Sequence, residues 1–313
     1  MLTYIGGRIL STIPVVILVA LFVFSLLYFA PGDPALVLAG ENATAAQVEA
    51  IRQNLALDQP FFVRFGSWFL GLLHGELGSS IFTNQPVRTL IAERLEPTLS
   101  LMVVTLVISI IVAVPMGVVA AWRQGTVVDR AVMLFAVLGF SLPVFVMGYI
   151  LAYTFGVKLR WLPVQGYTPL AEGFGPWLSN LVLPAMSLSC VYIALIARTT
   201  RSSMLEVLRQ DYIRTARSKG LGNGSVLFVH ALKNAAVPIV TVVGIGVALL
   251  ISGAVVAESV FAIPGLGRLT VDAILSRDYP VIQGLVLLFS FAYVLINLIV
   301  DLIYTVIDPR IKY

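Results

Sequence analysis

Residues 99–121 read LSLMVVTLVISIIVAVPMGVVAA, 23 positions without one charged side chain. A helix rising 1.5 Å per residue needs about 20 such positions to cross roughly 30 Å of hydrocarbon, so this stretch is long enough to span a membrane. Five further bands of the same character lie at 9–30, 131–156, 181–197, 238–257 and 282–307. Of the 20 Lys/Arg and 16 Asp/Glu residues, only Asp301 falls inside a band. Composition agrees, since 59% of the 313 residues are hydrophobic and 12% are charged, about half the charge share of a soluble domain. The pattern predicts an all-α, polytopic membrane protein in which residues 1–313 form one domain with six transmembrane helices. An ordinary soluble enzyme is excluded.

The first band follows a single cation, Arg8, as a secretory signal would. Its apolar run exceeds the roughly 7 to 15 residues of a signal core and no small-x-small site follows it, so it reads as a retained span. Cys190, the one cysteine, has no partner for an intrachain disulfide or a cysteine metal cluster. Orientation follows from the loop cations, which are retained on the cytoplasmic side. With the N-terminus inside, segments 1–8, 122–130, 198–237 and 308–313 carry 12 cations against four acids. The long outer loop 31–98 is discounted, because long loops translocate largely regardless of charge; the remaining outer loops carry four cations. Both termini are therefore expected in the cytoplasm. The pI of about 9.3 reflects this asymmetry rather than nucleic-acid binding, as no loop mixes aromatics with a Lys/Arg stripe.

The outer loop opens with Pro31-Gly32-Asp33-Pro34, which stops the first helix. Thr44 and Gln47 resemble a capping box, and Val48, Ile51 and Leu55 repeat at helical spacing, predicting an amphipathic helix over roughly 45–56. After Pro60, the residues Phe61, Phe65, Trp68, Phe69 and Leu72 line one face of a second helix. Such a stripe suits either a docking surface for an external partner or a lid packed over the outer ends of the spans.

The inner stretch 198–237 carries Arg198, Arg201, Arg209, Arg214, Arg217, Lys219 and Lys233 against Glu206 and Asp211. A cationic loop beside a membrane ordinarily sets topology and attracts anionic lipid. Local order exceeds that reading. Asp211 suits an N-cap, Tyr212 to Lys219 is a helical run with a cationic last turn, and Gly220 stands at the stop position. The turn-forming Leu221-Gly222-Asn223-Gly224 follows. A rigid rod about 12 Å long between two spans suits pushing, or being pushed by, a partner.

The string RTTRSSMLEVLRQDYIRTARSKG at 198–220, followed by HALKNAAVP at 230–238, resembles the cytoplasmic loop of ABC-importer permeases of the dipeptide and oligopeptide type. PGDP at 31–34, ELGSS at 76–80, SLPVF at 141–145, ESVFAIPGLGRL at 258–269, RDYP at 277–280 and the final DPRIKY extend the resemblance over nearly the whole chain. It implies a type I importer fold, a second related permease, an external binding protein, and one or two ATPase subunits that hold ATP and Mg and receive the short helix in a cleft. The coupling residues it implies are Asp211, Tyr212, Arg214, Thr215, Ala216, Arg217, Lys219 and Gly220. The general signature of such loops, Glu-Ala-Ala, three residues, then Gly, falls on Arg214, Thr215, Ala216 and Gly220, so only Ala216 and Gly220 match. Its later Leu-Pro falls on Leu232 and Lys233. Arg214 or Arg217 is expected to replace the general Glu at the ATPase.

Peptides are the expected cargo, with nickel chelates or glutathione-like peptides as alternatives. A self-sufficient secondary transporter would show charged groups near the midplane, whereas the sole charge within a band is Asp301. Its shallow depth favours a structural pairing, with Asn297 or a basic group, over a substrate-amine or proton site. Prolines 14, 115, 143 and 184 are candidate kinks. His74 and His230 lack a second ligand at i+4, and no phosphate loop, zincin motif or nucleophile elbow occurs, so no catalytic, cofactor or metal site is expected in this chain.

Overall fold

The computed structural model describes residues 12, 14–25, 35, 44–54 and 58–307. Arg8, the PGDP turn at 31–34, Leu55 and the final DPRIKY lie outside them. In chain order the helices are α1 (Pro14–Ser25), α2 (Ala45–Asn54), α3 (Phe61–Leu73), α4 (Val87–Trp122), α5 (Val127–Ser141), α6 (Val144–Leu151), α7 (Phe174–Leu208), α8 (Asp211–Ser218), α9 (Leu232–Val260), α10 (Leu266–Ser276) and α11 (Tyr279–Ile307). A π-helical turn, Ala152–Lys158, continues α6, and another, Ser225–Ala231, leads into α9. Among the described residues the only extended pairing is one antiparallel bridge, Ser79 to Pro86.

Four of the six bands lie within helices long and apolar enough to cross a bilayer: α4, α7, the Ser225–Val260 helix and α11. Of the first band, residues 12 and 14–25 are described, and α1 falls within them. The band 131–156 departs from one straight span, because α5 and the helix after it meet at 103°. The cause is local. Leu142, ahead of Pro143, takes φ −91° and ψ 122°, the extended conformation that a following proline favours. Prolines 97, 115, 184 and 238 sit inside unbroken helices, so proline alone does not dictate a break.

The described residues fall into two compact units, those of Met1–Glu93 with Thr270–Val294 and those of Arg94–Leu269 with Leu295–Tyr313. In the first, the aromatic stripe of α3 closes on the buried Phe24 of α1. Ring centroids lie 5.4 Å from Phe61, 5.5 Å from Phe65 and 5.3 Å from Trp68, within the range of favourable aromatic pairs. The stripe thus packs against α1 within its own unit. In the second unit α4, α7 and α9 build the core: Leu101, Leu181, Leu188 and Phe261 form one cluster, and Val118, Ile196, Met204 and Leu227 another.

Candidate functional site

The stretch 198–237 is mostly helical. α7 runs on to Leu208, eleven residues past its apolar band, and the chain is helical again from Ser225. Between them α8 stands as a separate eight-residue helix. Its anchoring is minimal and one-sided. Ile213 (0% exposed) joins Met204 of α7 with Val226 and Leu227 in one apolar cluster, and Ala216 (8%), at i+3 on the same side of the helix, is buried as well. The opposite face carries exposed Asp211, Tyr212, Arg214, Thr215, Arg217 and Ser218, with Lys219 beyond the last turn. The Arg214 guanidinium lies 3.3 Å from Asp211 Oδ1, and both side chains are over four-fifths exposed, so the pair orients the arginine without sequestering it. Partial burial pushes the Tyr212 phenol up.

The helix stop is a Schellman arrangement. The Leu221 N–H donates to the Ala216 carbonyl (3.3 Å) and the Gly220 N–H to that of Arg217 (2.9 Å). Gly220 takes φ +78°, the left-handed conformation in which a Cβ is strained. Space is not the constraint, since a Cβ there would meet nothing within 4 Å. At the other end the expected cap shifts by one residue. Gln210 is the N-cap and its side chain makes no capping bond, while Asp211 is the first helical residue, where its carboxylate still complements the helix dipole.

Only one of the seven cations of this stretch is bound to a distant carboxylate among the described residues. Arg201 forms a bidentate pair with the buried Asp129 (Nη2 to Oδ2, 2.8 Å), and the Gly125 N–H also donates to Asp129. This ties the 122–130 segment to α7.

Reasoning from sequence missed two buried acids inside the strings ESVFAIPGLGRL and RDYP. Glu258, one residue past the fifth band, is 0% exposed. Its Oε1 accepts the Thr98 hydroxyl at 2.6 Å and its Oε2 the Arg268 N–H at 2.9 Å, while Thr98 Oγ1 accepts the Leu266 N–H at 2.8 Å. The loop wraps so closely that a Cβ on Gly265 would fall 2.3 Å from the Glu258 carboxyl carbon, which is why glycine stands there. In the other unit, Asp278 accepts the Ser80 hydroxyl at 2.5 Å and the Ile81 N–H at 3.2 Å. Asp301, on α11, is half-buried.

The chain matches the family described as binding-protein-dependent transport system inner membrane component over residues 113–313, and that family's N-terminal part over 1–102. A probable peptide ABC transporter permease protein of Sinorhizobium fredii is 55% identical over 99% of both chains. The dipeptide transport system permease protein DppB of Alkalihalophilus pseudofirmus is 40% identical over the full length of both. The glutathione transport system permease protein GsiC of Escherichia coli is 41% identical, also over the full length. A chain of the inward-facing MetNI methionine ABC transporter superposes with TM-score 0.59 at 18% identity, covering 71% of this chain and 97% of that one, and so shares its fold. The chain therefore belongs to the binding-protein-dependent transport system inner membrane components, the permease subunits of ABC importers, and is not itself an enzyme.

Proposed function

We propose that the chain is a single permease domain in a bacterial inner membrane, forming half of the pathway through which an ATP-driven importer takes up peptides. An external binding protein delivers the cargo, a second related permease completes the pathway, and partner ATPase subunits hold ATP and Mg. Peptides are named for the Sinorhizobium fredii relative and dipeptides for the Alkalihalophilus pseudofirmus one, and glutathione, itself a small peptide, for the Escherichia coli one.

The observation that carries the reading is α8. A short rod seated in the core by Ile213 and Ala216 presents its remaining side chains to solvent, so a force on that face is transmitted to α7 and α9 rather than absorbed by a loop. It acts as the coupling helix, with Arg214 and Arg217 toward the ATPase. Side-chain bonds support the six-span parity: Asp129 with Arg201 joins two segments assigned to the cytoplasm. Thr98 with Glu258, and Ser80 with Asp278, each join two segments assigned outside.

The direct test is reconstitution in liposomes with and without the partner subunits. Peptide uptake is expected only with both the ATPase and ATP present; uptake driven by an ion gradient with this polypeptide alone would replace the reading with a secondary transporter. Orientation is tested by single cysteines at Ser225 and Ser79, with Cys190 removed, using an impermeant thiol reagent on intact cells. Labelling at Ser79 alone is expected, and labelling at Ser225 alone would invert the topology.

A further inference from the structure

A cavity of about 370 Å³ lies between α5 and α7, walled by Met133, Ala136, Val137 and Phe140 on one side and Ala194 and Arg198 on the other. Its walls are apolar but for Arg198 at one end and, toward the C-terminal end of α5, Ser141, whose hydroxyl donates to the Val137 carbonyl. Arg198 is the first residue beyond the apolar band 181–197, which places its guanidinium at headgroup depth. The two helices run antiparallel there, as the Asp129–Arg201 pair at one level and the contact of Gly139 with Cys190 and Ala194 at another require. The end of the groove marked by Arg198 is thus also the end at which α5 begins with Asp129 and Arg130.

Charge at that end is unbalanced. Asp129 is engaged by Arg201, and among the described residues no carboxylate pairs with Arg198 or Arg130, both exposed. An apolar trough with free guanidinium groups at its headgroup end matches one ligand chemistry, an acyl chain carrying an anionic head. A neutral helix seated in the groove would instead cover Arg198 with nothing to pair it, which is costly away from water.

We propose that this groove is a binding site for an anionic phospholipid, with its acyl chain along Met133, Val137 and Phe140 and its phosphate on Arg198.

The test places the full chain in phosphatidylcholine nanodiscs doped with a phosphatidylglycerol bearing a photoreactive acyl chain, and locates adducts by peptide mass spectrometry. Adducts are expected to concentrate within 130–141. Unlabelled phosphatidylglycerol should compete about fivefold better than phosphatidylcholine of the same chains, the difference contributed by one basic group near a membrane surface. Arg198→Gln should remove that preference, Arg198→Lys should keep it, and Val137→Trp, which fills the groove, should abolish labelling at an unchanged unfolding temperature. Equal competition by the two lipids, or undiminished labelling in Arg198→Gln, would reduce the groove to ordinary lipid contact. Loss of labelling on adding the second permease would assign the groove to a protein helix instead.

Discussion

Two regions of the second unit use charge in opposite ways. At the Glu258 clasp a carboxyl group is wholly enclosed and its oxygens are saturated by a hydroxyl and a backbone N–H. At α8 the charges stand in solvent, and only Ile213 and Ala216 are enclosed. A buried polar group that loses its partners costs far more than an exposed one. The clasp is therefore where substitution removes the fold, and α8 is where it removes a contact while the fold stays. The string ESVFAIPGLGRL and the string around RTARSKG stand out equally as text, yet they do different work.

The largest effect is expected at the clasp. Glu258→Ala strands the Arg268 N–H, worth about 1–3 kcal/mol when left unsatisfied, leaves the Thr98 hydroxyl only the long bond to the Arg94 carbonyl at 3.4 Å, and opens a cavity where the side chain was enclosed, so little folded chain should accumulate. Gly265→Ala should fail as badly, because its Cβ would overlap the Glu258 carboxyl. The two losses should not add. With the carboxyl gone the clash is gone, so Gly265→Ala should cost markedly less in the Glu258→Ala background, a coupling read from the amount of folded chain in the double variant against the two single ones. Independent, additive losses would mean that the enclosed geometry is not what holds the loop.

Next comes the anchor of α8. Ile213→Ala removes a fully buried side chain at roughly 2–5 kcal/mol, which should loosen the helix locally rather than unfold the spans. Faster amide exchange confined to 211–221, with transport lost and the unfolding temperature shifted only slightly, is the expected pattern. Global destabilisation like that of Glu258→Ala would erase the contrast between the two regions.

Gly220→Val is smaller still. With open space around it, the cost is the left-handed φ alone, about 1 kcal/mol, and insertion and chain amount should stay near normal. Transport should fall, since the turn after α8 is re-aimed. Asn tolerates this conformation, so Gly220→Asn should restore uptake. A valine variant with full uptake would show that the stop geometry does not matter.

What the sequence discloses divides along the same line. The bands are legible because hydropathy integrates over 20 residues. α8 is legible because its signals are local: an acid at the start in Asp211, a cationic last turn, and glycine at the stop, where φ is positive. The clasps are not, because the partners of Glu258 and Asp278 lie 160 and 198 residues away, and a carboxylate beside a band reads as an exposed boundary. The break at Leu142–Pro143 is half legible. A proline is visible there, but four others continue their helices, and whether the freed backbone finds partners depends on packing that no local pattern records.

The smallest effect on the fold, and the sharpest test of the comparison, is Arg214→Glu. Arg214 reaches only Asp211, one turn back on the same exposed face, so reversing its charge replaces a weak attraction with a weak repulsion in water, and chain amount and unfolding temperature should be unchanged. At a docked surface the same change opposes a partner's complementary charge or leaves it unpaired, which costs much more than in solvent. Co-purification of the ATPase and peptide uptake should both fall at matched permease content, and raising salt should narrow the difference from the parent in association, because the added repulsion is screened. Arg217→Glu should act alike if both arginines face the partner, whereas Arg209→Glu, outside α8, should do little. Normal uptake and normal association in Arg214→Glu would show that this face of α8 is a solvated, topology-setting surface rather than the coupling contact.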